Sequence, residues 1–410
     1  MIKLEDSLQE PLKFVLQSST NGTLDFDLGL CNAFCSALLK DDPSTSNPLP
    51  DSGAGVPPYP LYKRLTLALW ESLCSGTFCP MYKRMSIKNG ESSLKQKEEI
   101  WLKLIMDKGS EMVQVSDRCN FPFIATDKIN FILHLKTLLF QQVLKSLNLE
   151  LDVDEPFFTQ LNDGQKSIEV KYALGKYDRL EPGMLIIFNK CLVFEISDIR
   201  WYVSVSDMLE SENLQSILPG VESIDEGLQI LKSLNREEEE MADSVIAICI
   251  SSVPFQPYVS LAAIISGLSY EGLQGLLGLT HTAGTVPDVL PPPRSVLLSS
   301  FVLPYKLKGK GIKLTHGAKA LAKHHHRPSS KYWGTFDGNE SDKNRLAMNT
   351  IVHLIAHCCW MNIHIVAPHG IVFEIRIAEG YGARWSKDGN KFIGFLEPYM
   401  EDGHLKGWKH

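Results

Sequence analysis

Gly164-Gln165-Lys166-Ser167-Ile168-Glu169-Val170-Lys171 is the stretch that decides the fold of the central part of this chain. In an extended segment alternate side chains face opposite ways. Ile168 and Val170 therefore share one face, and Ser167, Glu169 and Lys171 the other. Gly175-Lys176-Tyr177 follows, and then Leu180-Glu181-Pro182-Gly183, a turn that launches the apolar run Met184 to Phe188. Cys191 to Ile196 reads as the antiparallel partner of that run, across a turn at Asn189-Lys190. Ser244 to Ile250 supplies a last strand. The pattern describes a small β-rich unit with one charged face.

The order G-x-K-x-x-E-x-K, then G-K-Y, then L-x-P-G, continued through Val193 to Arg200, Tyr202, Leu218-Pro219-Gly220-Val221 and Val245 to Ile250, resembles the ASCH domain, named from activating signal cointegrator-1 homology. Lys171 stands where the family pattern has Arg, and Met184 where it often has Asp. The resemblance implies a PUA-like β-barrel and an RNA-associated role. Some small members resemble amidases acting on acylated cytidine; in those a Thr occupies the position of Glu169.

Either side of this unit the chain reads differently. Residues 1–148 are expected to form a helical domain. Leu24 to Leu39, Leu61 to Cys74, Gln96 to Met106 and Ala125 to Leu147 carry apolar residues at helical spacing. Asp41 to Pro60 is rich in Pro, Ser, Asp and Gly and reads as a loop or disordered insert. The ASCH-like barrel takes 149–252, with Pro156 to Leu161 as a helical turn and short helices at Ser206 to Glu212 and Ile224 to Leu234. Residues 253–300 form an apolar connector, Val259 to Leu279 making one packed helix or two. Gly272, Gly275 and Gly278 lack the Lys and Ser/Thr of a phosphate loop and suit close helix packing. Residues 301–410 hold a basic loop and an α+β unit. There Asn339 or Ser341 caps a helix reaching about Trp360, and Asn362 to Ala367, Ile371 to Ala378, Tyr381 to Ser386 and Lys391 to Leu396 alternate as antiparallel strands. The fold class is thus multidomain α+β.

The chain's net charge of −7 argues against indiscriminate nucleic-acid binding. No acidic residue lies between Asp288 and Asp337, a gap holding nine Lys and Arg, so the remainder of the chain carries −16. One basic surface on an acidic body follows. Nine scattered cysteines without C-x-x-C spacing, and a polar amino terminus without a secretory signal, suit reduced thiols in nucleus or cytoplasm. No segment gives a clean membrane span.

Three constellations are candidates for chemistry. Lys166, Glu169 and Lys171, with Arg200 and Tyr202 from a later strand, would line the mouth of the barrel. There the cations would hold phosphate, Tyr202 or Trp201 would stack on an unpaired base, and Glu169 would accept from a base edge or orient Lys166. The plainer alternative is that Glu169 and Lys171 only solvate a strand face. In an enzymatic version Lys166 would act as base or nucleophile, oriented by Glu169. The second constellation is histidine. His353 and His357 sit four apart on one helix, spaced for a shared zinc ion, but Leu354 stands where a zincin needs Glu, so two hydrogen-bonded histidines packed against the sheet is the simpler expectation. His324-His325-His326 extends the cationic surface. The third is the basic loop, with Lys306, Lys308, Lys310 and Lys313 ahead of Tyr332 and Trp333, which suits a single-stranded RNA backbone.

The expectation is an RNA-binding protein that uses the barrel and the adjacent basic loop, with no cofactor and no metal. Two other classes stay open. One is an amidohydrolase acting on modified nucleosides. The other is an interaction module for proteins of transcription or RNA processing.

Overall fold

The structure, a computed structural model, describes residues 6–24, 26–44, 55–75, 147–177, 179–234, 244–253, 256–305, 313–324 and 332–398. The expected helices Gln96 to Met106 and Ala125 to Leu147 fall outside these, except that Leu147 begins a strand. The chain divides into two compact units, Met1–Val15 with Met85–Ile264, and Leu16–Arg84 with Ile265–His410.

The first unit is built on a mixed five-stranded sheet. Its strands are β1 (Leu147–Leu151), β2 (Ile168–Tyr172), β3 (Leu185–Phe188), β4 (Leu192–Tyr202) and β5 (Val245–Ser252), in the order β1-β3-β4-β5-β2. The turn between β3 and β4 falls at Asn189 and Lys190, both at positive φ (48° and 58°), the geometry of a tight two-residue hairpin.

The sheet is not a closed barrel. Among the described residues β1 pairs only with β3 and β2 only with β5, so the two edges do not meet. The reason lies in β5. Its residues are apolar on both faces, where a barrel strand would offer one face to the interior and one to solvent. Ile246, Ile248 and Ile250 join a core with Phe158, Leu161, Tyr177, Phe188 and Phe194. Val245, Ala247 and Cys249 join another with Val205, Met208, Leu209, Ile217 and Leu231. A strand buried on both sides needs cover on both sides.

That cover is helical. Among the described residues of this unit are α4 (Phe157–Asn162), α5 (Val205–Ser211), α6 (Leu214–Ile217) and α7 (Ile224–Leu234). Ser204 caps α5 by accepting from Asp207 N at 3.1 Å. Gly164, at φ 71°, ends the turn after α4 and redirects the chain into β2.

The second unit holds a four-stranded antiparallel sheet, β6 (Trp360–Val366), β7 (Gly370–Arg376), β8 (Gly382–Ser386) and β9 (Phe392–Leu396), in sequence order. These are the four expected strands, shifted by one or two residues. The helices α9 (Arg294–Val302), α10 (His316–His324) and α11 (Glu340–His357) pack against β7, β8 and β9. Phe373 and Trp385 are fully buried, and Trp385 Nε1 donates to Leu297 O at 3.2 Å. Asn339 and Asp342 form a reciprocal capping box at the start of α11. The outer edge of β6 is covered by 280–286: Thr280 N donates to Met361 O (2.7 Å) and Val286 N to Ile363 O (2.8 Å).

Two expectations change shape here. The apolar stretch after residue 253 forms α8 (Pro257–Leu276), broken at Ser269 (φ 55°) into two helical pieces. The helix expected over Leu24 to Leu39 shortens to α2 (Asn32–Leu39), because Asp27 Oδ1 accepts from Gly29 N at 2.8 Å and turns the chain. No helix among the described residues is long and apolar enough to cross a membrane.

Candidate functional site

Lys166, Glu169 and Lys171 meet at the β2 edge of the first sheet. Lys166 precedes the strand, and its Nζ reaches three acceptors: Ile217 O (2.6 Å), Ile168 O (2.9 Å) and Glu169 Oε2 (3.3 Å). Ile217 closes the short helix α6, so the ammonium satisfies a carbonyl left over at a helix end. Lys171 Nζ lies 3.0 Å from the other oxygen, Glu169 Oε1. Lys166 is 4% exposed and Glu169 6%, with Lys171 partly exposed, so this is a largely buried ionic triad and not a solvated strand face. Burial pushes the Lys166 pKa down, against the pull of Glu169. For Glu169, burial acts to raise the pKa, but the charges of Lys166 and Lys171 prevail and hold it below the usual carboxylate range.

The triad lines a small open-mouthed pocket of about 80 Å³, together with Asp152, Val153, Asp154, Phe157, Val170, Leu218, Leu231 and Leu234. Asn189, in the β3–β4 turn, clamps the Asp152–Asp154 wall by bonding both Val153 N (2.7 Å) and Val153 O (2.8 Å). The lining holds two lysines against three carboxylates. Such a set suits a neutral, hydrogen-bonding group better than a phosphate. As for catalysis, the ammonium of Lys166 has its three hydrogens committed, and both oxygens of Glu169 face cations. The fully bonded ammonium has no lone pair for attack, and Glu169, its pKa held low by two cations, is a weak base.

Arg200 and Tyr202 do not join this pocket. Glu169 and Lys171 lie opposite Ile248 and Ile246 of β5, whereas Arg200 and Tyr202 lie opposite Ala247 and Val245. Alternate β5 residues point to opposite faces, so the two groups are on opposite sides of the sheet. Arg200 Nη1 donates to both oxygens of Glu212 (2.7 and 2.8 Å) and its Nε to Asp198 (2.8 Å), while Tyr202 Oη donates to Glu212 at 2.6 Å. The group fastens the end of β4 to the end of α5.

Only part of the basic stretch lies among the described residues. Lys306, Lys308 and Lys310 lie outside the described residues. Lys313 is described, and its backbone carbonyl accepts from Asn344 Nδ2 at 2.9 Å. Beyond it the chain forms α10, started by Thr315, whose hydroxyl accepts from Ala318 N at 3.1 Å, with Ala318 and Leu321 buried. His324 is not part of a cationic surface. It is buried, with Nδ1 2.7 Å from Glu397 Oε1, an oxygen that also accepts from Trp333 Nε1 at 2.9 Å. Tyr332 stacks on Tyr381 with ring centres 3.9 Å apart. These rings are already committed to one another. His353 and His357 stack at 4.4 Å on the exposed face of α11 and are not packed on the sheet. No group of three metal-ligating side chains occurs among the described residues.

A second ionic cluster went unnoticed in the sequence. Glu374 on β7, 2% exposed, receives Arg376 Nε on Oε1 (2.7 Å), and Arg384 Nε (2.9 Å) and Nη2 (2.6 Å) on Oε2. His364 Nε2 on β6 lies 3.3 Å from the same Oε2. Burial would raise the Glu374 pKa, but the hydrogen bond from His364 and the charges of Arg384 and Arg376 outweigh it and hold it at about 2. The alternation of Glu374 and Arg376 with Phe373 and Ile375 marked a polar face. Nothing local marked that Arg384 and His364 would arrive from neighbouring strands.

The family model of the ASCH domain matches residues 151–254, the sheet that carries the Lys166 pocket. This central part of the chain is an ASCH domain. The hypothetical protein PH0355, known from a crystal structure, is 33% identical over 26% of this chain and 98% of its own, with a TM-score of 0.24. The solution structure of protein PF0455 from Pyrococcus furiosus is 33% identical over 26% of this chain and 98% of its own, with a TM-score of 0.23. Outside the ASCH domain, the model of the CdiA C-terminal tRNase toxin domain matches residues 307–397, which span α10, α11 and the whole second sheet. No curated protein matches the chain.

Proposed function

We propose that this protein acts on RNA, holding an unpaired nucleotide at its ASCH domain and cleaving the strand in its C-terminal unit. The observation that carries the first half is the pocket at the β2 edge, where an ASCH domain sets the buried Lys166 and Glu169 and the partly exposed Lys171 beside an aromatic wall, Phe157. A nucleobase edge presents donors and acceptors without net charge. That matches a lining of mixed sign better than a phosphate does. Phosphate contact falls to cationic side chains elsewhere, and the lysines between 306 and 313 are the richest source in the sequence.

The second half rests on the match of residues 307–397 to a tRNase toxin domain. It replaces the amidohydrolase reading, which needed Lys166 as base or nucleophile, oriented by Glu169. The test is incubation of the full-length protein with transfer RNA and with unstructured RNA, followed by separation of the products. Retention of RNA together with shortened products supports both halves. Retention of intact RNA supports only the first, and neither retention nor cleavage removes the reading.

A further inference from the structure

Three adjacent strands of the C-terminal sheet deliver His364, Glu374, Arg376 and Arg384 to one place, and all four lie within the stretch that matches the tRNase toxin domain. The charges in the cluster do not balance. Two guanidiniums face one carboxylate, which leaves a surplus positive charge held by a buried Glu374 and a largely buried Arg384. The second guanidinium, Arg376, is 26% exposed, so the surplus charge is open to an incoming anion. Among the described residues Arg384 Nη1 and Arg376 Nη2 have no partner, because Arg384 spends Nε and Nη2 on Glu374, and Arg376 spends Nε on Glu374 and Nη1 on the carbonyls of Gly380 and Glu397. These two N–H groups suit a tetrahedral phosphate bridging neighbouring strands.

His364 completes the set. Its Nε2 faces the Glu374 carboxylate, so the ring carries its hydrogen there and leaves Nδ1 as the basic nitrogen. The ring is 17% exposed and can be reached by a substrate. Both oxygens of Glu374 are taken up by cationic or N–H partners, so the carboxylate is not disposed to ligate a metal ion.

Resting on the ribonuclease reading above, we infer that this cluster is a phosphodiester-cleaving centre that uses the 2′-hydroxyl of RNA as nucleophile. Arg376 and Arg384 hold the scissile phosphate and the charge that grows on it in the transition state. His364 Nδ1 takes the 2′-hydroxyl proton as the 2′-oxygen bonds to phosphorus. The bond from phosphorus to the 5′-oxygen breaks, its electron pair leaves with that oxygen, which takes a proton from solvent while the imidazolium returns its own. No water or other reactant is consumed. The products are a 2′,3′-cyclic phosphate and a 5′-hydroxyl end. Glu374 is a positioning residue that fixes the imidazole tautomer and the two guanidiniums.

The experiment uses the full chain, transfer RNA and excess EDTA, with the product ends identified by mass spectrometry. Cyclic phosphate ends, no cleavage of a strand carrying 2′-deoxyribose at the cut position, and a loss of at least about 100-fold in rate for His364→Ala are the expected results. His364 is partly exposed, so this variant keeps its fold, which retention of the wild-type melting temperature verifies. Glu374→Gln should move the pH–rate profile, an effect that loss of folding alone does not produce, and Glu374→Asp should restore part of it. RNA cleavage that leaves 5′-phosphate ends, tolerates the 2′-deoxy strand or persists in His364→Ala overturns this inference and leaves the ribonuclease reading intact. A wild-type protein that cleaves no RNA, with or without divalent metal, overturns both.

Discussion

Glu169 and Arg200 stand on opposite faces of one sheet, opposite Ile248 and Ala247, which are consecutive residues of β5. Neither Arg200 nor Tyr202 lines the pocket that Glu169 borders. The buried triad owns the pocket, and the Arg200 group is a fastening between strand and helix.

RNA affinity should follow this division. Lys171→Ala removes a charged donor from the pocket wall and is expected to weaken RNA binding about tenfold, the worth of one charge-assisted hydrogen bond. Arg200→Ala should leave affinity unchanged. Fluorescence anisotropy with a labelled RNA at fixed salt compares the two. A larger loss from Arg200→Ala would contradict the placement of the site.

Lys166 holds two backbone carbonyls and a carboxylate away from water. Its replacement by Ala leaves Glu169 with one cation and strands Ile217 O. The expected cost is about 3 kcal/mol, typical of breaking a buried ion pair. Urea unfolding at neutral pH measures it. Lys171→Ala, at a more exposed position, should cost less.

The Glu374 cluster sets an acid limit on the second unit. The folded pKa is about 2, below the ordinary value for Glu. Such a group lends stability that is fully present above its unfolded pKa and is lost as pH falls through the folded one. The window runs from about pH 4.5 down to about 2, and the contribution is roughly 3 kcal/mol. Thermal unfolding followed across that range should show the melting temperature falling, with a smaller slope in Glu374→Gln.

Gly317 lies in the first turn of α10, against the ring of Phe301. A Cβ there would sit 2.0 Å from Phe301 Cζ. Gly317→Ala is expected to destabilise by about 2 kcal/mol or more through overpacking. Unchanged stability would mean that α9 and α10 can separate without cost.

Much of this was legible in order along the chain. Strict alternation from Ser167 to Lys171, the Pro182-Gly183 turn and the Asn189-Lys190 hairpin are local signals, and the strands appear where they indicate. The capping box at Asn339 and the four C-terminal strands were equally local. What escaped was non-local. Barrel closure was inferred from resemblance, whereas the apolar residues on both faces of β5 already asked for helices on each side. Arg200 was assigned to the pocket because its type suits phosphate, while its face depends on a register with β5 that the irregularity between Ile196 and Asp198 helps to set. His364 and Arg384 join Glu374 only because β6 and β8 flank β7, and no spacing in the sequence announces that.

Photo-crosslinking of RNA to the full-length protein, with the attached peptides mapped, locates both RNA contacts at once. Adducts are expected on the peptides that carry Phe157 and Lys171 at the pocket, and on those that carry His364 and Arg376 in the C-terminal sheet. RNA that crosslinks at neither place, or only around Arg200 and Tyr202 on the far face, would contradict both assignments.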